Sequence, residues 1–418
     1  MCGIGIIVSY ENKERKKLDE LGNLLINSLK LRGPNDKGLW IDKTGRICIV
    51  HTRLSIQGLD KYSSQPMISS DQNWIVSFNG EIYNKKLLKA HLNNNRNNEY
   101  KYKGNSDTEI LIEYIQEYGI KETLNTIEGM FAIIAYNKGN SKLYFCGDKF
   151  GEKPLYFGDL EINTKKYFFA CSDLNSIKSI GGKNLNYDEA SIFELLHNGY
   201  ISAPKTIYKE MNKLLQSNLI EYSFLNNFEE FKITRNEIYW DNSKYNQSDI
   251  FSHEKDIKYT SSVLDELITN AVSLRLESDV PLACSLSSGV DSTIIAAKTN
   301  LITNNNTKCF SLGFIESQNN EINMAKKVAK ELGFDHSCLE ISLNESLNYF
   351  ERSLNSMTEP IGDSSILPTY ILSNYISGEG FKVSLGGDGA DEIFGGYRRH
   401  IFSKAFMDFG LNFLELPA

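Results

Sequence analysis

The chain has 418 residues, enough for two or three domains that each bury their own core, and no apolar run or leader that calls for a membrane. With 53 acidic and 45 basic residues the net charge is −8, which argues against a nucleic-acid-binding surface. Seven dispersed cysteines without a CxxC pair, and six scattered histidines, argue against a disulfide framework or a structural zinc site and for a reducing cytoplasm.

The opening Met1-Cys2-Gly3-Ile4-Gly5-Ile6 places a cysteine second. Once the initiator methionine is excised, thiol and free amine share one residue, and the amine can act as base for its own thiol. The plainer alternative is a small apolar residue opening a strand. Short β-branched or aromatic runs then predict strands at Ile4 to Val8, Ile47 to Val50, Trp74 to Phe78, Phe131 to Tyr136, Leu143 to Cys146 and Tyr167 to Cys171. Helices are predicted over about Lys17 to Lys30 and after Ser106-Asp107-Thr108-Glu109, where Ile110, Leu111, Tyr114 and Tyr118 share a face. Sheets covered by helices are expected.

Several strand ends carry polar residues. Asn79-Gly80, expected in a loop just past a strand, offers a side-chain amide and a backbone N–H that could converge on an oxyanion, or forms an Asn-Gly turn. Arg53, expected just past another strand, could fork onto a carboxylate or remain a surface cation. Asp107 sits among capping residues and could be a helix cap. Arg32-Gly33-Pro34-Asn35-Asp36 reads as a turn.

Cys2, Arg32-Gly33-Pro34, Arg53, Asn79-Gly80-Glu81-Ile82-Tyr83-Asn84, Asp107 and Glu128-Gly129-Met130-Phe131-Ala132 together resemble the class II glutamine amidotransferase domain, over roughly the first 170 residues. That resemblance implies an α+β N-terminal-nucleophile hydrolase fold, an αββα sandwich. It implies that Cys2 attacks the glutamine amide, with Asn79 and Gly80 stabilising the oxyanion. Arg53 would hold the substrate carboxylate, and Asn79, Glu81 and Asp107 would complete the glutamine site.

Residues 241–258 turn polar and lose periodicity, the mark of a linker between a first domain over 1–240 and a second over 259–418. Val263, Leu264, Leu267, Ile268, Ala271 and Val272 then recur at helical spacing. A buried-looking strand, Leu282 to Leu286, runs into Ser287-Ser288-Gly289-Val290-Asp291-Ser292 and a helix start. Strand, Ser/Gly loop and helix N-terminus make an anion site, and Asp291 could hold magnesium; a serine-rich helix cap is the alternative. Were Ser288 at positive φ it would be strained, whereas at negative φ its hydroxyl could be another phosphate donor. Further alternation follows: a strand at Cys309 to Leu312, a helix through Ile322 to Leu332 ended by Gly333, a strand at Cys338 to Ile341, a helix near Pro368 to Ser377, and a strand at Lys382 to Leu385. It predicts an α/β doubly wound parallel sheet, with ligands beyond the carboxyl ends of its strands, where Gly386-Gly387-Asp388-Gly389-Ala390-Asp391 stands.

The serine loop resembles the pyrophosphatase loop of enzymes that split ATP into AMP and pyrophosphate. With Phe310-Ser311-Leu312-Gly313, Gly386 to Tyr397 and Gly199 to Tyr208, this half resembles the glutamine-hydrolysing asparagine synthetases. The resemblance implies ATP and Mg2+, with Leu286 and Leu312 receiving adenine and Ser287, Ser288, Gly289, Asp291, Ser292 and Gly387 around the pyrophosphate. Asp388 would act near an acyl-adenylate, and Asp291 and Asp391 would hold the metal. The expected reaction joins ammonia from glutamine to aspartate, with small-molecule substrates, no nucleic acid, no membrane, and a homodimer left open. Glu359 to Ser373 lacks the Thr-Thr-Ile-Arg pattern thought to hold aspartate, so another carboxylate acceptor remains an alternative. The chain ends at Ala418, short of the usual family length, so the synthetase half is expected to be incomplete. A glutaminase or nucleotide-binding module without ligase activity is the remaining alternative.

Overall fold

A computed structural model describes residues 1–11, 13–95, 100–181, 185–225, 230–244, 257–316 and 321–408. Most of the expected linker over 241–258 therefore lies outside the described residues. The chain forms two compact units. The first comprises Met1–Lys255 together with Leu354–Ser364, and the second comprises Asp256–Ser353 and Ser365–Ala418.

The first unit stacks two six-stranded sheets between helices. In one sheet the opening strand Gly3–Ser9 is central, antiparallel to Ile47–Arg53 on one side and to Lys165–Cys171 on the other. In the other, Trp74–Ile82 pairs with Gly129–Asn137, which pairs with Lys142–Gly147. Ile4, Ile6 and Ile49 from the first sheet and Ile75, Ile134 and Phe145 from the second meet in the inner core. Each such side chain, wholly removed from water, is worth about 1.5–3 kcal/mol. The outer face of the first sheet is covered by Arg15–Leu29, which buries Leu18, Leu21, Leu25 and Leu29. Asp107–Thr126 and Lys85–Asn95 cover the other. The four layers are helix, sheet, sheet, helix.

Leu354–Ser364 is held in this unit by polar bonds. Glu359, a buried carboxylate, receives the Ile207 N–H at 3.0 Å and pairs with Lys213 at 2.6 Å. Thr358 Oγ1 donates to Asp173 at 2.6 Å and accepts the Leu174 N–H, and the Gly362 N–H donates to the Gly199 carbonyl at 2.7 Å.

The second unit carries four parallel strands, Leu282–Ser285, Lys308–Phe314, Asp335–Ile341 and Val383–Leu385. In space the third lies beside the second, the second beside the first, and the first beside the fourth. The order reverses between Leu282–Ser285 and Val383–Leu385, and that reversal opens the crevice where ligands of such sheets bind. Val290–Ile302 and Ile322–Leu332 pack on one face through Ala296 and Ala329, and Ile366–Gly378 packs on the other through Ile376. Gly333, at φ 69°, ends its helix in the left-handed conformation that glycine adopts without strain.

Two expectations about placement are corrected. Asn79 and Gly80 lie inside Trp74–Ile82 rather than in a loop, opposite Ala132 and Phe131. A Cβ on Gly80 would come within 2.1 Å of the Met130 carbonyl, so the glycine serves close strand approach rather than a turn. Arg53 is likewise the last residue of its strand, not a residue past it.

Candidate active sites

Cys2, Arg53, Asn79, Gly80, Glu81 and Asp107 line one pocket of the first unit, at the end of the opening strand. The half-buried Cys2 sulfur accepts the Leu54 N–H at 3.4 Å. Burial pushes the thiol above its usual range, against the Leu54 hydrogen bond and the nearby terminal ammonium, so the proton needs an acceptor. Met1 is still attached, and its ammonium stands in for the amine that excision leaves on Cys2. The Met1 amine is lowered to about 6, chiefly by burial, with the Arg32 and Lys153 cations pulling the same way and the Cys2 and Glu81 charges opposing. A protonated thiol beside a neutral amine is the pairing an internal base requires.

Asn79 and Gly80, the two residues expected to supply oxyanion donors, both line this pocket. The Asn79 side chain is 1% exposed, and its Nδ2 has no hydrogen-bond partner. A buried unpaired donor costs about 1–3 kcal/mol, a cost that a bound oxygen would remove. Opposite Gly80, both backbone groups of Phe131 are taken by Asp148: the Phe131 N–H donates to its carboxylate and the Phe131 carbonyl accepts its N–H. Gly80 and Phe131 are therefore a pair without ladder bonds between them, and the Gly80 N–H points away from that strand.

Ser106, not Asp107, caps the helix. Its hydroxyl accepts the Glu109 N–H at 3.3 Å, while the buried Asp107 carboxylate accepts the Ile82 N–H at 3.1 Å and lines the pocket. Arg53 spends much of its fork on the carbonyls of Gln57, Gly58 and Asp60, so it shapes that loop as well as the pocket wall. Arg32 Nε donates to the Cys2 carbonyl at 3.1 Å. Gly33 lets this turn touch the neighbouring strand, since a Cβ there would lie 2.2 Å from the Thr52 carbonyl carbon.

The second unit has a cavity of about 550 Å³ at the sheet's order reversal. Ser287, Gly289, Asp291 and Ser292 face it from one loop, and Gly387, Asp388 and Asp391 from the other. The Ser287 and Ser292 hydroxyls lie 2.8 Å apart, and the Gly289 N–H donates to Ser287 Oγ at 3.1 Å. The helix starting at Val290 has no side-chain cap, so its first N–H groups remain available to an anion. A Cβ on Gly387 would sit 2.8 Å from both Ser292 N and Asp291 Cβ, so only glycine lets the two loops meet. Leu286 and Leu312 also line this cavity, and Ser311 Oγ, 2.7 Å from His336 Nε2, donates to the Leu286 carbonyl.

Residues 1–232 match the family model described as glutamine amidotransferase domain, and residues 263–411 match the one described as asparagine synthase. The chain belongs to the glutamine-hydrolysing asparagine synthetase family. Glutamine-hydrolysing asparagine synthetase 1 of Bacillus subtilis is 27% identical to it, over 95% of this chain and 59% of that protein. The putative asparagine synthetase 2 of Methanocaldococcus jannaschii is 29% identical, over 96% of this chain and 76% of that protein. Amidase chry2 of Gibberella zeae is 25% identical, over 95% of this chain and 59% of that protein. The chain thus spans about three-fifths of the length of the Bacillus and Gibberella relatives.

In this family member every residue expected around glutamine lines one pocket, and of those expected around ATP only Ser288 does not line the other. Ser288 is not among the residues at positive φ, so the strain that a positive φ would bring is absent. Asp291 and Asp391 both line the second cavity. Among the described residues no group of three or more His, Cys, Asp or Glu could hold a metal. One or two carboxylates completed by phosphate oxygens is how magnesium is usually held, so the donor set fits that ion. No helix among the described residues is long and apolar enough to cross a membrane. Sequence reasoning missed Lys153 and Gln65, which line the Cys2 pocket. Gln65 accepts the Phe78 N–H at 2.7 Å and donates to Thr108 at 3.2 Å, tying the pocket wall to the helix start.

Proposed function

We propose that this chain is a glutamine-dependent ligase that amidates a carboxylate, with the aspartate side chain as acceptor. Cys2 passes its proton to its own amine and attacks the glutamine Cδ. The C–N bond breaks, ammonia leaves with a proton, and water later hydrolyses the thioester to glutamate. Asn79 Nδ2 and the Gly80 N–H receive the oxyanion, Arg53 the α-carboxylate, and Glu81 and Asp107 the α-ammonium. In the second unit, the acceptor carboxylate displaces pyrophosphate from ATP, and ammonia then displaces AMP from the activated carbonyl. Leu286 and Leu312 receive adenine, and the Ser287–Ser292 loop with Gly387 receives the leaving pyrophosphate. Asp388 lies near the activated carbonyl. Magnesium on Asp291 and Asp391 would screen the phosphate charge.

The observation that carries this reading is the buried, partnerless Asn79 Nδ2 in the pocket that also holds the Cys2 thiol and the terminal amine. A second reading, with a different carboxylate acceptor, is supported by the amidase relative and by the absence of Thr-Thr-Ile-Arg between Glu359 and Ser373. Amide formation by Cys2→Ala tests the scheme. The product is expected to disappear with glutamine and to persist with ammonium chloride, and loss with both would refute the division of labour. ATP–pyrophosphate exchange dependent on aspartate, rather than on other acids, decides the acceptor.

A further inference from the structure

Lys153 lines the Cys2 pocket together with Met1, Glu81 and Asp107, yet the proposed chemistry gives it no part. Its placement is built rather than incidental. Asp148, fully buried at the end of a strand, receives four backbone N–H groups: Phe131 at 3.0 Å, Phe150 at 2.9 Å, Glu152 at 3.0 Å and Lys153 at 3.1 Å. The Asp148 carbonyl receives the Ser217 N–H at 2.7 Å, and Ser217 Oγ donates to the Lys149 carbonyl. Gly151, at φ 71°, makes the reversal that a side chain would strain. One carboxylate thus locks the loop that carries Lys153 and, through Phe131, the strand facing Gly80.

At the end of that loop the lysine is half-buried, and among the described residues its ammonium makes no hydrogen bond and no ion pair. Lys142 and Lys213 of the same unit each hold a carboxylate within 2.8 Å. Burying an ammonium costs free energy unless a charge nearby compensates it. The charges acting on Lys153 are the Glu152, Asp148 and Glu81 carboxylates and the Arg32 guanidinium.

We propose that Lys153 is a further positioning residue for glutamine hydrolysis, its ammonium facing the amino terminus and Glu81 together and setting how protons are shared between them. This rests on reading the pocket as a Cys2 glutaminase. The groups around the terminal amine are Cys2, Arg32, Lys153 and Glu81, with Arg53 and Asp107 acting on the Cys2 thiol. Those around Glu81 are Asp107, Lys153, Lys85 and the amine. A cation at 153 opposes protonation of the amine, which keeps that base free, and favours ionised Glu81, which keeps the partner of the substrate ammonium charged. Both effects demand a higher pH once the charge is removed.

The test is glutamate release by the full chain across pH, comparing the wild type with Lys153→Met and Lys153→Arg. Lys153→Met is expected to move the acid limb of kcat/KM upward by about one pH unit, lowering it about tenfold at neutral pH with recovery in alkali. Lys153→Arg is expected to restore most of the profile. The rate of Cys2 alkylation by iodoacetamide, which needs no bound glutamine, should show the same upward shift in Lys153→Met. A Lys153→Met profile superimposable on wild type overturns the proposal, as does an Arg variant that behaves like Met. Should Lys153→Met not fold, Lys153→Arg against Lys153→Gln decides by the same criterion. Glutamate release that survives Cys2→Ala is a separate outcome, and it sinks the glutaminase reading instead.

Discussion

Asp107 raises the proton affinity of Glu81: the two carboxyls share the Cys2 pocket, and burial followed by the Asp107 charge pushes Glu81 up to about 7. Lys153, Lys85 and the terminal amine pull the other way without restoring the ordinary carboxylate range. Burial also pushes Asp107 upward, against the Ile82 N–H and Lys85. Under the proposed function, a substrate ammonium entering between them would supply the missing counter-charge.

Glutamine binding should therefore weaken in mild acid. The Glu81 carboxylate is present above about pH 7 and lost below it, so the KM for glutamine rises as pH falls through that value. Glu81→Gln should raise KM about tenfold or more, the scale of one charged hydrogen bond, and flatten its acid dependence with a smaller change in kcat. Initial rates of glutamate release between about pH 6 and 9 measure this. A KM independent of pH in the wild type would count against the assignment.

Asn79→Ala should act on the barrier rather than on binding. Its Nδ2 has no ground-state partner to lose, so kcat should fall about 10²–10³-fold with little change in KM. Cys2 should still alkylate at the wild-type rate. A proportionate loss of alkylation would mean that the pocket, not the oxyanion, had been disturbed.

In the second unit the sensitive position is Gly387. Alanine there brings a Cβ to 2.8 Å from Ser292 N, which forces the Ser287–Ser292 loop and the Gly386–Asp391 loop apart. ATP–pyrophosphate exchange should fall at least about tenfold, the effect of a small displacement at a positioned site. Glutamate release should be retained, and exchange at the wild-type rate would show that the loops need not touch.

The core of both units was legible because its strands carry short apolar runs, such as Ile47 to Val50 within Ile47–Arg53 and Cys309-Phe310 within Lys308–Phe314. Tyr156–Ile162 and Asn218–Leu225 escaped notice because Asp159, Glu161 and Glu221 break the pattern. These carboxylates are accommodated by partners distant in sequence: Asp159 accepts from Tyr10 at 2.7 Å, and Glu221 pairs with Lys142. Asn79-Gly80 was legible as chemistry but not as geometry, since a glycine required for strand approach looks locally like a turn. Lys153 carried no local mark at all. The signal was Asp148, whose carboxylate organises residues on both sides of it in space, and spacing alone does not reveal a buried hub of that kind.

Residues Leu354–Ser364 complete the first unit from nearly a hundred positions downstream of its main segment. A polypeptide cut at 255 would leave Lys213 and the Ile207 N–H facing a trough emptied of the Glu359 carboxylate, with the Leu174 N–H and Asp173 bereft of Thr358. The gene therefore does not divide where the fold does. The shortest continuous stretch of message that encodes the whole first unit runs through Ser364, and it necessarily includes the other unit's first three strands and the helices between them.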